Sequence, residues 1–162
     1  MAMGKQETID YLRARGVSFE ITEHGAVWNM EELSHIELPH PEADAKNLFV
    51  RDDKKRNYYL ITVKGDKRVD LKEFRRRQGT RPLSFASDEE LSRYLGLFPG
   101  AVTPLGALND ETRSVRVFID RAFEGTLVGV HPNDNTATLW LKTEDLVRVL
   151  QEHGTEVLVT DI

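Results

Sequence analysis

Three short places in this 162-residue chain carry residue types that could bind a charged ligand or polarise a carbonyl. The first is Lys46-Asn47, a cation and an amide at the threshold of the apolar run LFV. Lys46 reads either as a strand-end lysine snorkelling to water or as a ligand for an anion. The second is GAVTP, Gly100-Ala101-Val102-Thr103-Pro104. Its glycine and proline either shape a surface turn or bend the backbone so that N–H groups converge on a carbonyl oxygen, an oxyanion hole made without side chains. The third is His131, which follows the apolar stretch TLVGV and precedes Pro132. A histidine leaving a strand into a turn is either structural or part of a site.

Stepping outward to the elements that must hold them, DAKNLFVRDDKKRNYYLITV predicts a hairpin, with strands over 46–51 and 57–64 and a charged turn between. A helix is expected over 5–15, ending at Gly16, and a strand over 17–22, VSFEIT. A short helix follows around 30–37. DLKEFRRRQG predicts a helix capped by Asp70, with Glu73 completing a capping box and Gly79 after its end. Ser87 and Glu90 give a second box ahead of a helix to Leu95, and TEDL a third near a helix over 143–151. GLFPGAVTPLGALND reads as a loop, and strands are expected over 115–120, 126–130, 136–141 and 156–160. The pattern is α+β: one domain over 1–162, a curved, mixed and largely antiparallel sheet flanked by helices.

Composition removes several chemistries. There is no cysteine, so disulfides, thiolate catalysis and Cys-ligated zinc are excluded. Neither a Walker-type phosphate loop, a dinucleotide fingerprint, a nucleophile elbow nor H-E-x-x-H occurs. His24, His35 and His40 lie close in sequence among Glu31, Glu32 and Glu37, but at spacings that match no standard ligand set, so no metal and no cofactor is expected. MAMGKQETID lacks the apolar core of a signal peptide, and no run is long enough to cross a bilayer. The expectation is a cytoplasmic protein with no membrane partner.

The net charge of −5 hides an uneven distribution. Between Lys46 and Arg81 there are thirteen Lys and Arg against five acids, a net of +8, while the remaining residues net −13. A basic block in an acidic protein suits local phosphate binding, and it equally suits a solvated face. The same ambiguity holds for Arg75-Arg76-Arg77, which also complement a helix C-terminus.

The three places, in this order, resemble the YbaK-like family of aminoacyl-tRNA deacylases, and within it the free-standing prolyl-tRNA-synthetase-associated editing proteins. The segments that carry the likeness are AKNLFVRDDKKRNYYLITVKGDKRVDL, GAVTPLGALND and GVHPNDNTATLWL. The resemblance implies hydrolysis of alanine from mischarged proline tRNA without a protein nucleophile, the terminal adenosine's free 2′-hydroxyl helping to place the water. It also implies that Lys46 contacts the phosphate of that adenosine, that Gly100 to Pro104 wrap the ester, and that His131 shapes the amino-acid pocket. Asn47, Phe49, Trp28, Asn29 and Met30 are the corresponding substrate-binding candidates. Lys54, Lys55, Arg56, Arg75, Arg76 and Arg77 are the RNA-binding candidates, with aminoacylated tRNA as partner and prolyl-tRNA synthetase as a second. Where relatives commonly carry H-P-P-V-Y-T-V-E-E, this chain has HGAVWNMEE, which leaves the preferred amino acid the least constrained feature. The alternatives are removal of another small residue, cysteine or serine, and a non-catalytic nucleic-acid or synthetase-binding module.

Overall fold

The structure, a computed structural model, describes residues 2–29, 31–32 and 37–162. The helix expected around 30–37, with Met30 and His35, lies largely outside the described residues. In chain order the elements are α1 (Lys5–Ala14), β1 (Phe19–Glu23), β2 (Ala45–Asp52), β3 (Tyr58–Lys64), α2 (Leu71–Gln78), β4 (Leu83–Phe85), α3 (Asp88–Leu95), β5 (Val115–Asp120), β6 (Leu127–Val130), β7 (Ala137–Lys142), α4 (Thr143–His153) and β8 (Val157–Thr160).

These strands form two sheets rather than one. The larger has the order β4-β2-β3-β5-β8, with β2 antiparallel to both β3 and β4 and with β3–β5 and β5–β8 parallel. The smaller is antiparallel, in the order β1-β7-β6. The α+β reading with largely antiparallel pairing holds for the described residues.

Alternation along the β2–β3 hairpin decides what each face buries. Phe49, Tyr58 and Leu60 turn to a core shared with Val128, Val130, Leu139 and Leu141 of the small sheet and with Leu12, Leu95 and Leu146 from the helices. Val50, Tyr59, Ile61 and Val63 turn the other way, where Phe74 of α2 covers them. At about 25 cal/mol per Å² of apolar area, both faces of this hairpin are strongly stabilised by burial. That is why β3, buried along nearly its whole length, reads as an unbroken apolar run.

Two of the three expected capping boxes take a different form. Asp70 does accept from the N–H groups of Lys72 and Glu73, and Gly79 closes α2 at φ +68°. The Glu73 carboxylate, however, turns outward to Arg76 and Arg77, because two guanidiniums outbid one backbone N–H. At α4, Thr143 donates to the Thr126 carbonyl and Glu144 accepts from Gly125 N–H, so the TEDL side chains tie the helix to the preceding loop instead of capping it. The Ser87–Glu90 box is present in full.

Candidate functional site

The β2–β3 register sets the first wall of a cavity. Asn47 stands opposite Thr62, whose hydroxyl donates to the Asn47 side-chain oxygen at 2.6 Å. A threonine in the apolar run YYLITV thereby orients the amide, with Asn47 Nδ2 unpartnered among the described residues. Lys46, one position earlier in β2, lines the same cavity. Its ammonium donates to the main-chain carbonyl of Lys67, in the turn beyond β3. An ammonium has three protons, so this contact fixes the side chain and leaves donors for an anion.

The opposite wall comes from the loop after α3. Gly100 has φ +92°, a conformation that strains any other residue. A Cβ there would also stand 2.6 Å from the Trp28 ring, so the indole is seated on bare backbone. Ala101 N–H is engaged by the Phe98 carbonyl. The N–H groups of Gly100 and Val102 have no hydrogen-bond partner among the described residues, and both residues line the cavity. Thr103 is fully buried and donates to the His131 carbonyl at 2.7 Å, which locks this loop to the β6–β7 turn. Pro104 opens a 3-10 segment, Pro104–Asn109, whose Leu105, Ala107 and Leu108 enter the core. What reads as loop is therefore a buried scaffold.

His131 completes the enclosure. Its Nδ1 lies 2.9 Å from the Ala137 carbonyl. A carbonyl only accepts, so in the neutral ring the proton sits on Nδ1 and Nε2 presents a lone pair. Burial pushes the imidazole below its ordinary pKa and His24, in edge contact at 6.2 Å, adds to this, while the Ala137 bond opposes it. The imidazole is neutral at physiological pH. The same turn carries a residue with no obvious signal in the sequence: Asn135 donates to the Val27 carbonyl and its own carbonyl accepts from Val27 N–H. This clamp lays Val27, Trp28 and Asn29 along the cavity.

The result is a cavity of about 210 Å³ lined by Val27, Trp28, Asn29, Ala45, Lys46, Asn47, Gly100, Val102 and His131. Four segments far apart in sequence meet there. None of these residues carries a hydroxyl, thiol or carboxylate that could act as a nucleophile. The sequence candidates are not all brought together. Phe49 is buried and stacked on Tyr58, ring centres 5.7 Å apart, so it is core. Ala101, Thr103 and Pro104 are scaffold, and Met30 lies outside the described residues. Val27 and Ala45 join the site with no polar signature to announce them.

The basic residues divide. Lys54, Lys55 and Arg56 sit in the hairpin turn, held by the buried Asp52, which accepts from Arg56 N–H and Asn57 Nδ2. Six residue steps along β2 separate Lys46 from Asp52, about 20 Å at about 3.3 Å each, so this turn is at the far end of the hairpin. On α2, Arg76 and Arg77 are paired with Glu73, and Arg75 and Arg76, with Lys72 and Thr80, border a shallow surface depression. Among the described residues no His, Asp and Glu cluster has a metal-binding arrangement, and no helix is long and apolar enough to cross a membrane.

A family model described as aminoacyl-tRNA editing domain matches residues 24–149. Over 151 residues the chain is 41% identical to the prolyl-tRNA editing protein ProX of Acetoanaerobium sticklandii, covering 93% of this chain and 92% of that protein. It is 32% identical over 157 residues to the prolyl-tRNA synthetase associated domain-containing protein 1 of Mus musculus, covering 91% and 90%. The crystal structure of a proposed trans-editing enzyme for prolyl tRNA synthetase superposes with a TM-score of 0.71, across 99% of this chain and 98% of that one. At 23% identity that likeness speaks for the fold.

Proposed function

Since the chain belongs to the aminoacyl-tRNA editing domain family and is thereby a hydrolase of aminoacyl-tRNA, we propose that it acts in trans on proline tRNA mischarged with alanine. The observation that carries this reading is the composition of the cavity among the described residues: a cation, two amides, two backbone N–H groups without a partner and a neutral imidazole, and no hydroxyl, thiol or carboxylate. Those are the groups needed to hold an activated ester for attack by water.

In this reading Lys46 and Asn47 bind the terminal phosphate and ribose, and the N–H groups of Gly100 and Val102 receive the carbonyl oxygen as it becomes an oxyanion. Each such donor is typically worth about 3 kcal/mol in the transition state. Water forms the new C–O bond, the ribose oxygen departs with a proton, and alanine leaves as its carboxylate. Nε2 of His131 accepts a hydrogen bond inside the pocket. An ester needs less help than an amide, so positioning and two dipoles suffice.

Selectivity follows from size. A synthetase pocket shaped for proline discriminates poorly against smaller side chains, since each missing methylene changes binding by about 1–3 kcal/mol. A second pocket bounded by Ala45, Gly100 and Val102 that excludes the proline ring corrects this. Prolyl-tRNA synthetase, named in the relatives, is the source of the mischarged substrate and the proposed partner.

The test is loss of ester from proline tRNA charged in turn with alanine, proline, serine or cysteine, without added metal. Selective loss of alanine is expected. Selective loss of serine or cysteine reassigns the substrate, and no cleavage above the buffer rate refutes the hydrolase. Lys46→Ala is expected to lower turnover about 10- to 100-fold, the value of a charge-assisted contact, with an unchanged melting temperature.

A further inference from the structure

The largest apolar side chain lining the cavity is that of Trp28. Trp28 is 55% exposed and its neighbour Phe98 is 38% exposed, although both could lower their free energy by burial. Their rings stand 5.8 Å apart at 59°, forming an open corner rather than a closed stack. The corner is built with care. Gly100 makes room for the indole where any Cβ would collide. The main-chain N–H of Trp28 donates to the Glu32 carboxylate at 2.7 Å, and the main-chain N–H of Glu32 donates to Asn29 Oδ1 at 2.8 Å, which holds the backbone presenting the ring. An exposed, rigidly held aromatic corner at the mouth of a polar pocket is a place for a flat, apolar-faced ligand group.

The chemistry of the substrate supplies one such group. The scissile ester sits on the terminal ribose, and the same ribose carries an unpaired purine base. When the ester enters the cavity, that base lies one sugar ring away, at the rim where Trp28 stands. Unpaired bases are held by stacking on aromatic side chains, which tolerates any sequence because every base has a π face.

We propose that Trp28, backed by Phe98 and Gly100, stacks the terminal base of the tRNA, so that the ester and the base of one nucleotide are gripped at the same opening. This rests on the reading of the cavity as the ester site. Trp28 is then a substrate-positioning residue for the nucleotide and not a wall of the amino-acid pocket.

The protein offers its own probe. It has two tryptophans, and Trp140 is only 1% exposed, with its N–H engaged by Thr22. A change in tryptophan emission on RNA binding therefore reports Trp28. The experiment titrates the wild-type protein with an uncharged acceptor-stem minihelix ending in CCA, and with the same RNA lacking only its terminal base. The intact RNA is expected to quench emission and to bind about ten-fold more tightly than the abasic one. Trp28→Ala is expected to bind both RNAs equally, at the abasic level, with its melting temperature retained. Equal affinity of wild-type protein for the two RNAs overturns the inference while leaving the ester site standing. Failure to bind either RNA overturns both. Quenching by prolyl-tRNA synthetase but not by RNA overturns the inference in favour of a protein-docking surface.

Discussion

The ammonium of Lys67 lies 2.8 Å from the Asp120 carboxylate, while the main-chain carbonyl of the same residue accepts the ammonium of Lys46. Asp120 also accepts from Lys64 N–H and Ala122 N–H. Burial alone would raise its pKa, but these donors and the Lys67 charge hold it below the ordinary value. One buried carboxylate at the end of β5 thus anchors the turn that holds the candidate phosphate ligand.

Asp120→Ala leaves two backbone N–H groups and one ammonium without their acceptor. Removal of one member of a buried charged network costs about 3–5 kcal/mol, and the partly exposed Lys67 places this case at the lower end, about 3 kcal/mol. Urea unfolding measures it. Asp120→Asn keeps one of the two acceptor oxygens and removes the charge; it is expected to cost less than Asp120→Ala, while raising KM for tRNA through the freed Lys67 turn. Unchanged KM in a folded Asp120→Asn protein would disconnect Asp120 from Lys46.

Gly100→Ala imposes both a strained backbone, at φ +92°, and a methyl group 2.6 Å from the Trp28 ring. The expected stability loss is about 1–3 kcal/mol by thermal unfolding. Deacylation should fall more than stability accounts for, because the same movement turns the Gly100 N–H away from the ester. A crystal structure of the variant would show Trp28 displaced.

The pH response follows from His131. Burial lowers its pKa in the folded protein below the 6.5 of an ordinary histidine. The unfolded chain therefore binds a proton first as pH falls. The stability due to neutral His131 is complete above about 6.5 and is lost as pH drops through the lower, folded pKa. Around it, His24 opposes protonation and Asp134 favours it. Activity is expected to hold at pH 6.5 and fail only at more acid values. His131→Asn should remove that dependence of stability on pH.

Arg75 has no ionic partner among the described residues, whereas Arg76 and Arg77 share Glu73. Arg75→Ala is expected to reduce the slope of log affinity for tRNA against log salt by about one phosphate contact, with melting temperature unchanged. Arg76→Ala should change the slope less, since its charge is already matched. Equal slopes in wild type and both variants would remove α2 from the RNA-binding surface.

Much of this was legible in the chain. The hairpin of β2 and β3 is announced by two apolar runs around a charged turn, and α2 and α3 by their caps. Sheet membership was not. Period-two alternation looks the same in either sheet, so nothing local says that β3 pairs in parallel with β5 or that β1 pairs with β7. β4 spans only Leu83–Phe85 after a proline, too short for any periodicity. Of the residues singled out in the sequence, Lys46, Asn47, Gly100, Val102 and His131 meet at one cavity. Phe49 misled because it shares a face with Asn47, yet two residues deeper that face is closed by Tyr58. Asn135 was unreadable for another reason: its partner, Val27, is 108 positions away, and an asparagine in HPNDN looks like turn chemistry.

The pairing of β1 with β7, Phe19 against Leu141 through Glu23 against Ala137, also sets the order in which the cavity can be assembled. During synthesis the segment carrying Val27 and Trp28 emerges early, but the strand and turn against which it is laid, His131 to Lys142, come near the end. A nascent chain lacking residues 131–142 has no surface on which to lay Val27 and Trp28. The wall of the cavity built by Val27, Trp28 and Asn29 is thus completed by chain that lies more than 100 positions later.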